Sequence, residues 1–483
     1  MLSRSRHRRH LDLLEPPPQA AAAFGLVKSV TVATPRVTVP AEFAPRDYVI
    51  FLLHMAAQIE HALMVQYLYA GFSLGGEHVP LDRQREVARW QETILGIAKE
   101  EMGHLLTVQN LLRCLGGPLN LDREDYPWDS EFYPFRFHLE PLTRHSLAKY
   151  VYAESPDPDL WKGPEADEIR EVAMGGSRGS ALHRIGLLYG QIERLLENEK
   201  LLQDRDFSAT TYPLQANWDE WGRGYQAGAR GNTTGGSGPG TPDVILRPVT
   251  SRSDALDAVR AIVTQGEANP PMDDSAPSHF ARFLRIYRQF PKVKDWSPTR
   301  RVPKDPFVTD NDRISQRSVE SLEGTLISHP VARLWAHLFN IRYRWLLTNL
   351  LHSFDYPSNI SQASTTTPRG MLVNATFGEM YNLRTLANIL VQTPLGGDEG
   401  QMAGPPFQMP YTLRLPFDRR DRWRLHRDLA NASICLVSRL LEGNSGGHDT
   451  YLMALRDTDQ QTIRRIETIL RDTVASADAC TDT

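Results

Sequence analysis

Charged side chains nearly vanish between Asp47 and Glu77, where Glu60 is the single acidic or basic residue in a long apolar run. The density of apolar residues over 46–75 predicts a buried helix rather than an amphipathic one. A second helix is expected over 81–117, "LDRQREVARWQETILGIAKEEMGHLLTVQNLLRCLGG", stopped by its Gly-Gly pair. Residues 118–160 are rich in proline and aromatics and show little periodicity, so they read as a long crossover. A third helix follows over 180–202, with an apolar stripe at Ile185, Tyr189, Ile192 and Leu196. After the glycine-rich loop 228–242, a fourth helix spans 251–270 and helix resumes over 275–290.

Helical periodicity returns beyond a polar, proline-containing linker, over 318–354, 372–393, 420–442 and 458–476. No series of alternating strands and no fixed-period repeat interrupts it. The expected fold class is all-α, a four-helix bundle followed by a second helical domain. The expected division is an extended or disordered segment over 1–44, a bundle domain over 45–295, a linker over 296–317 and a helical C-terminal domain over 318–477.

Overall charge narrows the functional classes. The chain of 483 residues carries 54 basic and 58 acidic side chains, a net charge of −4. That balance offers no electrostatic footprint for nucleic acid or an anionic membrane. The apolar run at 48–74 holds His54, Gln58, Glu60, His61 and Gln66, which lipid would penalise. Three scattered cysteines, Cys114, Cys435 and Cys480, fit a reducing cytoplasm and leave no thiolate metal site. The loop "GARGNTTGGSGPGTP" lacks the Lys-Ser/Thr and preceding strand of a phosphate loop.

The candidate chemistry lies in "AKEEMGH", residues 98–104, set in otherwise apolar sequence. Glu101 and His104 are three residues apart and share a helix face, so they can present a carboxylate and an imidazole to one metal ion. Glu100 points about 100° away and is expected to be solvated. A lone Glu60 in an apolar helix must be paired, protonated or bound to a cation. The bland alternative pairs it with His61 or an arginine. Glu267 near the end of the fourth helix and His279 at the start of the resumed one complete a list of carboxylates and imidazoles in the order used by two-metal four-helix proteins. Such ligands suit iron, with manganese as the lesser candidate. His54, His61, His337 and His352, in apolar helices, read as satisfied core histidines. Trp335, Phe339, Tyr343 and Trp345 read as core.

The segments "QIEHALMVQYLYAGFSL", "AKEEMGHLLTVQNLLRCLGGPLNL", "RIGLLYGQI", "AIVTQGEA" and "SHFARFLRI" resemble the ferritin-like domain family associated with iminophenylpyruvate or indolepyruvate-imine dimer synthases of bisindole pathways. "FGEMYNLRTLANILVQTP" and "AGPPFQMP" resemble the region that follows that domain. The resemblance implies a ferritin-like bundle, non-haem iron as one or two Fe2+/Fe3+ ions, O2 or H2O2 as oxidant and a small amino-acid-derived substrate. It places Glu60, Glu101, His104, Glu267 and His279 on the metal-binding pattern. The third helix departs from that pattern: Leu187 stands where many members carry Glu, leaving His183, Glu193 or water to fill the place. The implied reactions are oxidative coupling, hydroxylation or desaturation. The competing readings are a ferroxidase without an organic substrate and a metal-free helical interaction protein.

Overall fold

In the computed structural model the described residues are 38–123, 137–157, 159–175, 184–221, 244–267, 277–291, 296–308, 324–358, 367–397, 400–409, 413–443 and 445–478. The first long helix, α1 (Pro45–Ser73), starts with proline in its first turn, where no intrahelical N–H is lost. It is apolar and long enough to cross a membrane by composition, but 78% of its most apolar window is buried within the protein. It packs antiparallel to α2 (Gln84–Cys114), which ends at the expected glycine pair, with Gly116 at a φ of 75°.

The expected crossover is not structureless. It contains a short helix, α3 (Arg144–Ala153), which packs on another just beyond it, α4 (Pro164–Met174). Thr143 starts α3 with a reciprocal capping box to Ser146, a local signal that aromatic and proline content obscured. Next come α5 (Ile185–Glu197), α6 (Arg252–Glu267) and α7 (His279–Gln289). Helices α1, α2, α5 and α6 form the bundle, and α7 lies against α2, α3 and α6. The segment 244–249 crosses α2 so closely that a Cβ on Gly103 would sit 2.7 Å from the Ile245 carbonyl oxygen. That contact accounts for the glycine within "EEMGH".

The second half is built from α8 (Pro330–Ser353), α9 (Pro368–Leu390), α10 (Arg419–Gly443) and α11 (Asp449–Asp478). A two-residue parallel pairing of Pro306–Phe307 with Thr325–Leu326 precedes it. Buried Arg342 on α8 joins the other three helices, donating to Glu379 (2.9 Å), to Ser433 Oγ (2.6 Å) and to Asp459. One continuous apolar core runs through both halves, from Tyr48 to Leu455. Polar groups tie them as well. His61 donates from Nδ1 to the Leu121 carbonyl (2.9 Å) and accepts at Nε2 from the Tyr343 hydroxyl (2.5 Å). It is the satisfied core histidine expected of it, with burial holding its imidazole well below the usual range, to about 3. Trp335, Phe339, Tyr343 and Trp345 are likewise core.

Arg342→Leu leaves Glu379 and Asp459 buried without their cation, and the expected loss of unfolding free energy is about 3–5 kcal/mol. Denaturant unfolding at neutral pH measures it. A loss below about 1 kcal/mol would show that the cluster contributes no more than a surface ion pair.

Candidate metal centre

Three helices and the end of a fourth supply a cluster of buried acids and imidazoles. Glu60 projects from the middle of α1, and Glu101 and His104 from one face of α2. His279 occupies the first position of α7, fixed there because Ser278 caps that helix through the Ala281 N–H. The third carboxylate is Glu154, which closes α3 and is buried. Sequence reasoning missed it.

Two groups of three ligand atoms form around a shared member. Glu60, Glu101 and His104 make one, and Glu101, Glu154 and His279 make the other; within each, one donor atom per residue lies within 4.8 Å of the others. Glu101 reaches both: Oε2 lies 2.7 Å from His104 Nδ1, and Oε1 lies 2.8 Å from His279 Nδ1. The His104 and His279 rings face each other with centroids 5.4 Å apart. Glu60 Oε2 is 3.5 Å from His104 Nδ1, and Glu154 Oε2 is 3.8 Å from His279 Nδ1.

The remaining atoms of these side chains are already engaged. Tyr189 on α5 donates its hydroxyl to Glu60 Oε1, and Tyr67 on α1 donates to Glu154 Oε1 at 2.5 Å. His104 Nε2 meets Gln265 Oε1 at 2.9 Å, and His279 Nε2 meets Glu100 Oε2 at 2.9 Å. Glu101 Oε1 and His279 Nδ1 are the exceptions: both are buried and neither makes a hydrogen bond, although they are close. Two buried ligand atoms paired by charge at 2.8 Å but out of line for a hydrogen bond are suited to a cation between them. The residues therefore fit a pair of metal ions, with Glu101 positioned to bridge.

The electrostatics show how far the metal-free cluster is from balance. Burial pushes the Glu60 carboxyl up to about 7, against the pull of His104. Burial, reinforced by the charge of Glu101, pushes Glu154 up to about 8. Burial also acts to raise Glu101, but His279 and His104 outweigh it and hold that carboxyl well below the usual range. Burial alone would lower the two imidazoles; Glu101 reverses this, raising His279 to about 9 and His104 well above its ordinary value. Metal-free, the cluster is held together by protons.

Several sequence expectations change. Glu100 is not solvated: it is fully buried and accepts from His279 Nε2 and Arg282 Nη2, because the face 100° from Glu101 is covered by α7. Glu60 is paired with neither His61 nor an arginine, but with Tyr189 and His104. Glu193 does not enter the centre; it bonds Arg260 at the surface (2.6 Å). Leu187 is 48% exposed, so the register of α5 turns it outward and brings Gly186 and Tyr189 to the centre. Glu267 is the last residue of α6, and its side chain lies outside the described residues, as does His183. Among the described α6 residues, Gln265 bonds His104 and Gly266 lies so close that a Cβ there would meet Glu154 Oε2 at 3.2 Å.

A cavity of about 20 Å³ adjoins the cluster, lined by Glu60, His104, Glu154 and Tyr189 with Leu63, Ile185 and Ile262 among its walls. It has room on the scale of one water molecule.

A family model described as ferritin-like matches residues 53–288, the span that contains every residue of this cluster. Over residues 53–288 the fold is ferritin-like. Two curated relatives are similar to this chain. A dichlorochromopyrrolate synthase from Lentzea aerocolonigenes is 27% identical over 432 residues, covering 82% of this chain and 38% of the relative. A 2-imino-3-(indol-3-yl)propanoate dimerase from Chromobacterium violaceum is 30% identical over 144 residues, 24% of this chain and 14% of the relative. The chain thus spans well under half the length of either. A ferritin-like protein of known structure from Caulobacter vibrioides aligns over 72% of this chain and 98% of its own at 17% identity, with a TM-score of 0.39, too distant to bear on the site.

Glu154→Ala is expected to reduce bound iron after anaerobic reconstitution from about two ions per chain toward about one, whereas Leu187→Glu leaves the content unchanged. Elemental analysis of desalted protein measures both; full occupancy in Glu154→Ala would remove that residue from the ligand set. Loading should also tighten as pH rises. The raised Glu60 and Glu154 carboxyls hold protons that a metal must displace, each worth about a tenfold change in apparent affinity per pH unit below its pKa. Titrations between about pH 6 and about pH 8 test this, and pH-independent loading would contradict it.

Proposed function

We propose that this chain is a non-haem iron oxidoreductase with two ions held about Glu101, acting on a small amino-acid-derived molecule with O2 or peroxide as oxidant. The observation that carries the reading is the pair of buried triads sharing Glu101. Glu60 and His104 would complete one position, and Glu154 and His279 the other. When bound, iron supplies redox chemistry toward O2 or peroxide.

The chain's own residues prepare the centre for that chemistry. Each terminal carboxylate has one oxygen held by a phenol, so a single oxygen remains free to bind, and few protein donors surround each position. Low donor number favours exchange of small ligands over a closed structural site. Tyr189 holds its phenol proton at Glu60 Oε1, beside the cavity. Leu63, Ile185 and Ile262 keep bulk water from the ligands. The cavity accommodates an oxidant-sized guest, so an aromatic substrate would bind at its mouth, toward Ile185, Gly186 and Val263. The resemblance to the imine dimerase favours oxidative coupling of an indole-bearing imine among the candidate reactions, with hydroxylation and desaturation as alternatives.

A metal-free interaction protein has little reason to keep this cluster. Buried carboxylates and imidazoles each cost several kcal/mol of desolvation, and apolar replacements would pack as well. Iron storage without an organic substrate is disfavoured by the relatives, both named as enzymes of small-molecule synthesis.

Anaerobically loaded di-ferrous protein should react with O2 or H2O2, at a rate that changes by about tenfold or more when an aromatic amino acid or its imine is bound. Stopped-flow absorption with and without those compounds measures it. Iron-loaded protein that is inert to both oxidants under every substrate would contradict the enzyme reading.

A further inference from the structure

The two halves of the cluster are closely matched except at one place. Each terminal carboxylate has Oε1 capped by a tyrosine, Tyr189 on Glu60 and Tyr67 on Glu154. Each shares one oxygen of Glu101. Each contributes one imidazole whose Nε2 is engaged elsewhere, which leaves Nδ1 as the ligand atom. The difference is the group that holds Nε2. His104 donates to the neutral amide oxygen of Gln265, whereas His279 donates to the carboxylate of Glu100.

Glu100 can only accept. It is fully buried beside the Arg282 guanidinium, which donates to the same Oε2. The proton on that hydrogen bond therefore belongs to His279, so a metal that displaces the Nδ1 proton meets a lone pair already aimed toward Glu101 and Glu154. A carboxylate behind a ligating imidazole makes it a stronger donor than an amide does, and such outer partners are worth about 10–100-fold in metal affinity. The cavity points the same way. It is lined by both Glu60 and His104, whereas on the other side only Glu154 reaches it and His279 is completely buried behind.

We infer that the two metal positions are unequal, the Glu101–Glu154–His279 position being the tight, enclosed one and the Glu60–Glu101–His104 position the weaker one that exchanges ligands at the cavity, with Glu100 as the positioning residue that sets the difference. This rests on the two-metal reading of the cluster. The order of filling follows: the first equivalent of metal occupies the His279 side, and the second completes the centre on the side that meets small molecules. Gln265 is the counterpart of Glu100 on the weaker side.

Titration of metal-free full-length protein with Co2+, followed by its visible absorption bands under nitrogen, tests the inference without any turnover. The parent protein should fill in two steps separated by at least about tenfold. Glu100→Gln should weaken the first step by about 10–100-fold and merge the two, while Gln265→Glu should tighten the second and merge them from the other direction. The charge-balanced double variant Glu100→Gln/Arg282→Gln, checked by near-ultraviolet circular dichroism, reproduces the loss without leaving Arg282 unpaired. Two equal steps in the parent, or equal weakening of both steps by Glu100→Gln in folded protein, would overturn the inequality and leave the two-metal reading standing. Failure of the parent to bind Co2+ at all would overturn both.

Discussion

Three carboxylates and two imidazoles sit within a few ångströms of one another in the interior of an apolar bundle, and the surrounding architecture serves to hold them there. Like charges at that density repel strongly once water is excluded. The chain meets this constraint by alternating signs: Glu101 stands between two imidazoles, and Glu100 lies between an imidazole and Arg282. Tyrosine hydroxyls cap the outer carboxylates. What remains, a shared carboxylate, one oxygen of each outer carboxylate and two Nδ1 atoms facing inward, is a donor set that suits a pair of transition-metal ions such as iron.

Helix order follows from the same constraint. α1 and α2 are the longest helices of the first half because they carry the centre at mid-length, with apolar turns on either side. α6 approaches with glycine at 266, leaving space for Glu154 Oε2, and α7 begins at His279 so that its cap fixes the imidazole. The second half contributes no ligand among the described residues. Its α8 buttresses α1 through Tyr343 and His61, and Arg369 at the start of α9 binds Glu220 and the carbonyls of Gln215, Ser353 and Tyr356. The second half thus acts on the centre through the rigidity of α1 and of the segment behind α2.

Much of this was legible in the chain. The all-α class came from periodicity, and the Gly116–Gly117 stop fell where expected. Glu60 betrayed itself as a solitary charge in an apolar run, and Glu101 with His104 by helical spacing. Glu154 did not. It lies in "YVYAESPDPD", within the stretch that reads as a crossover, and its partners Tyr67 and His279 are remote in sequence. The available cue was the apolar stretch before it, Leu147 to Ala153, buried throughout on α3. Glu100 was misread because single-helix geometry gives direction without saying what covers that direction; α7 does. Leu187 failed for a similar reason, since the inward register of α5 is set by packing of Tyr189 and Ile192 against the bundle. Local pattern identifies which residues have chemistry to offer. Tertiary packing decides which of them meet.

The central claim is that Glu101 bridges two metals whose outer ligands include Glu154. A crystal structure of protein loaded anaerobically with iron, with anomalous scattering collected at the iron edge, tests it most directly. The account predicts two peaks about 3.5–4 Å apart, one on each side of the Glu101 carboxylate, with Glu154 and His279 bound to one and Glu60 and His104 to the other. A single peak, or two peaks with Glu154 turned away from both, would contradict it.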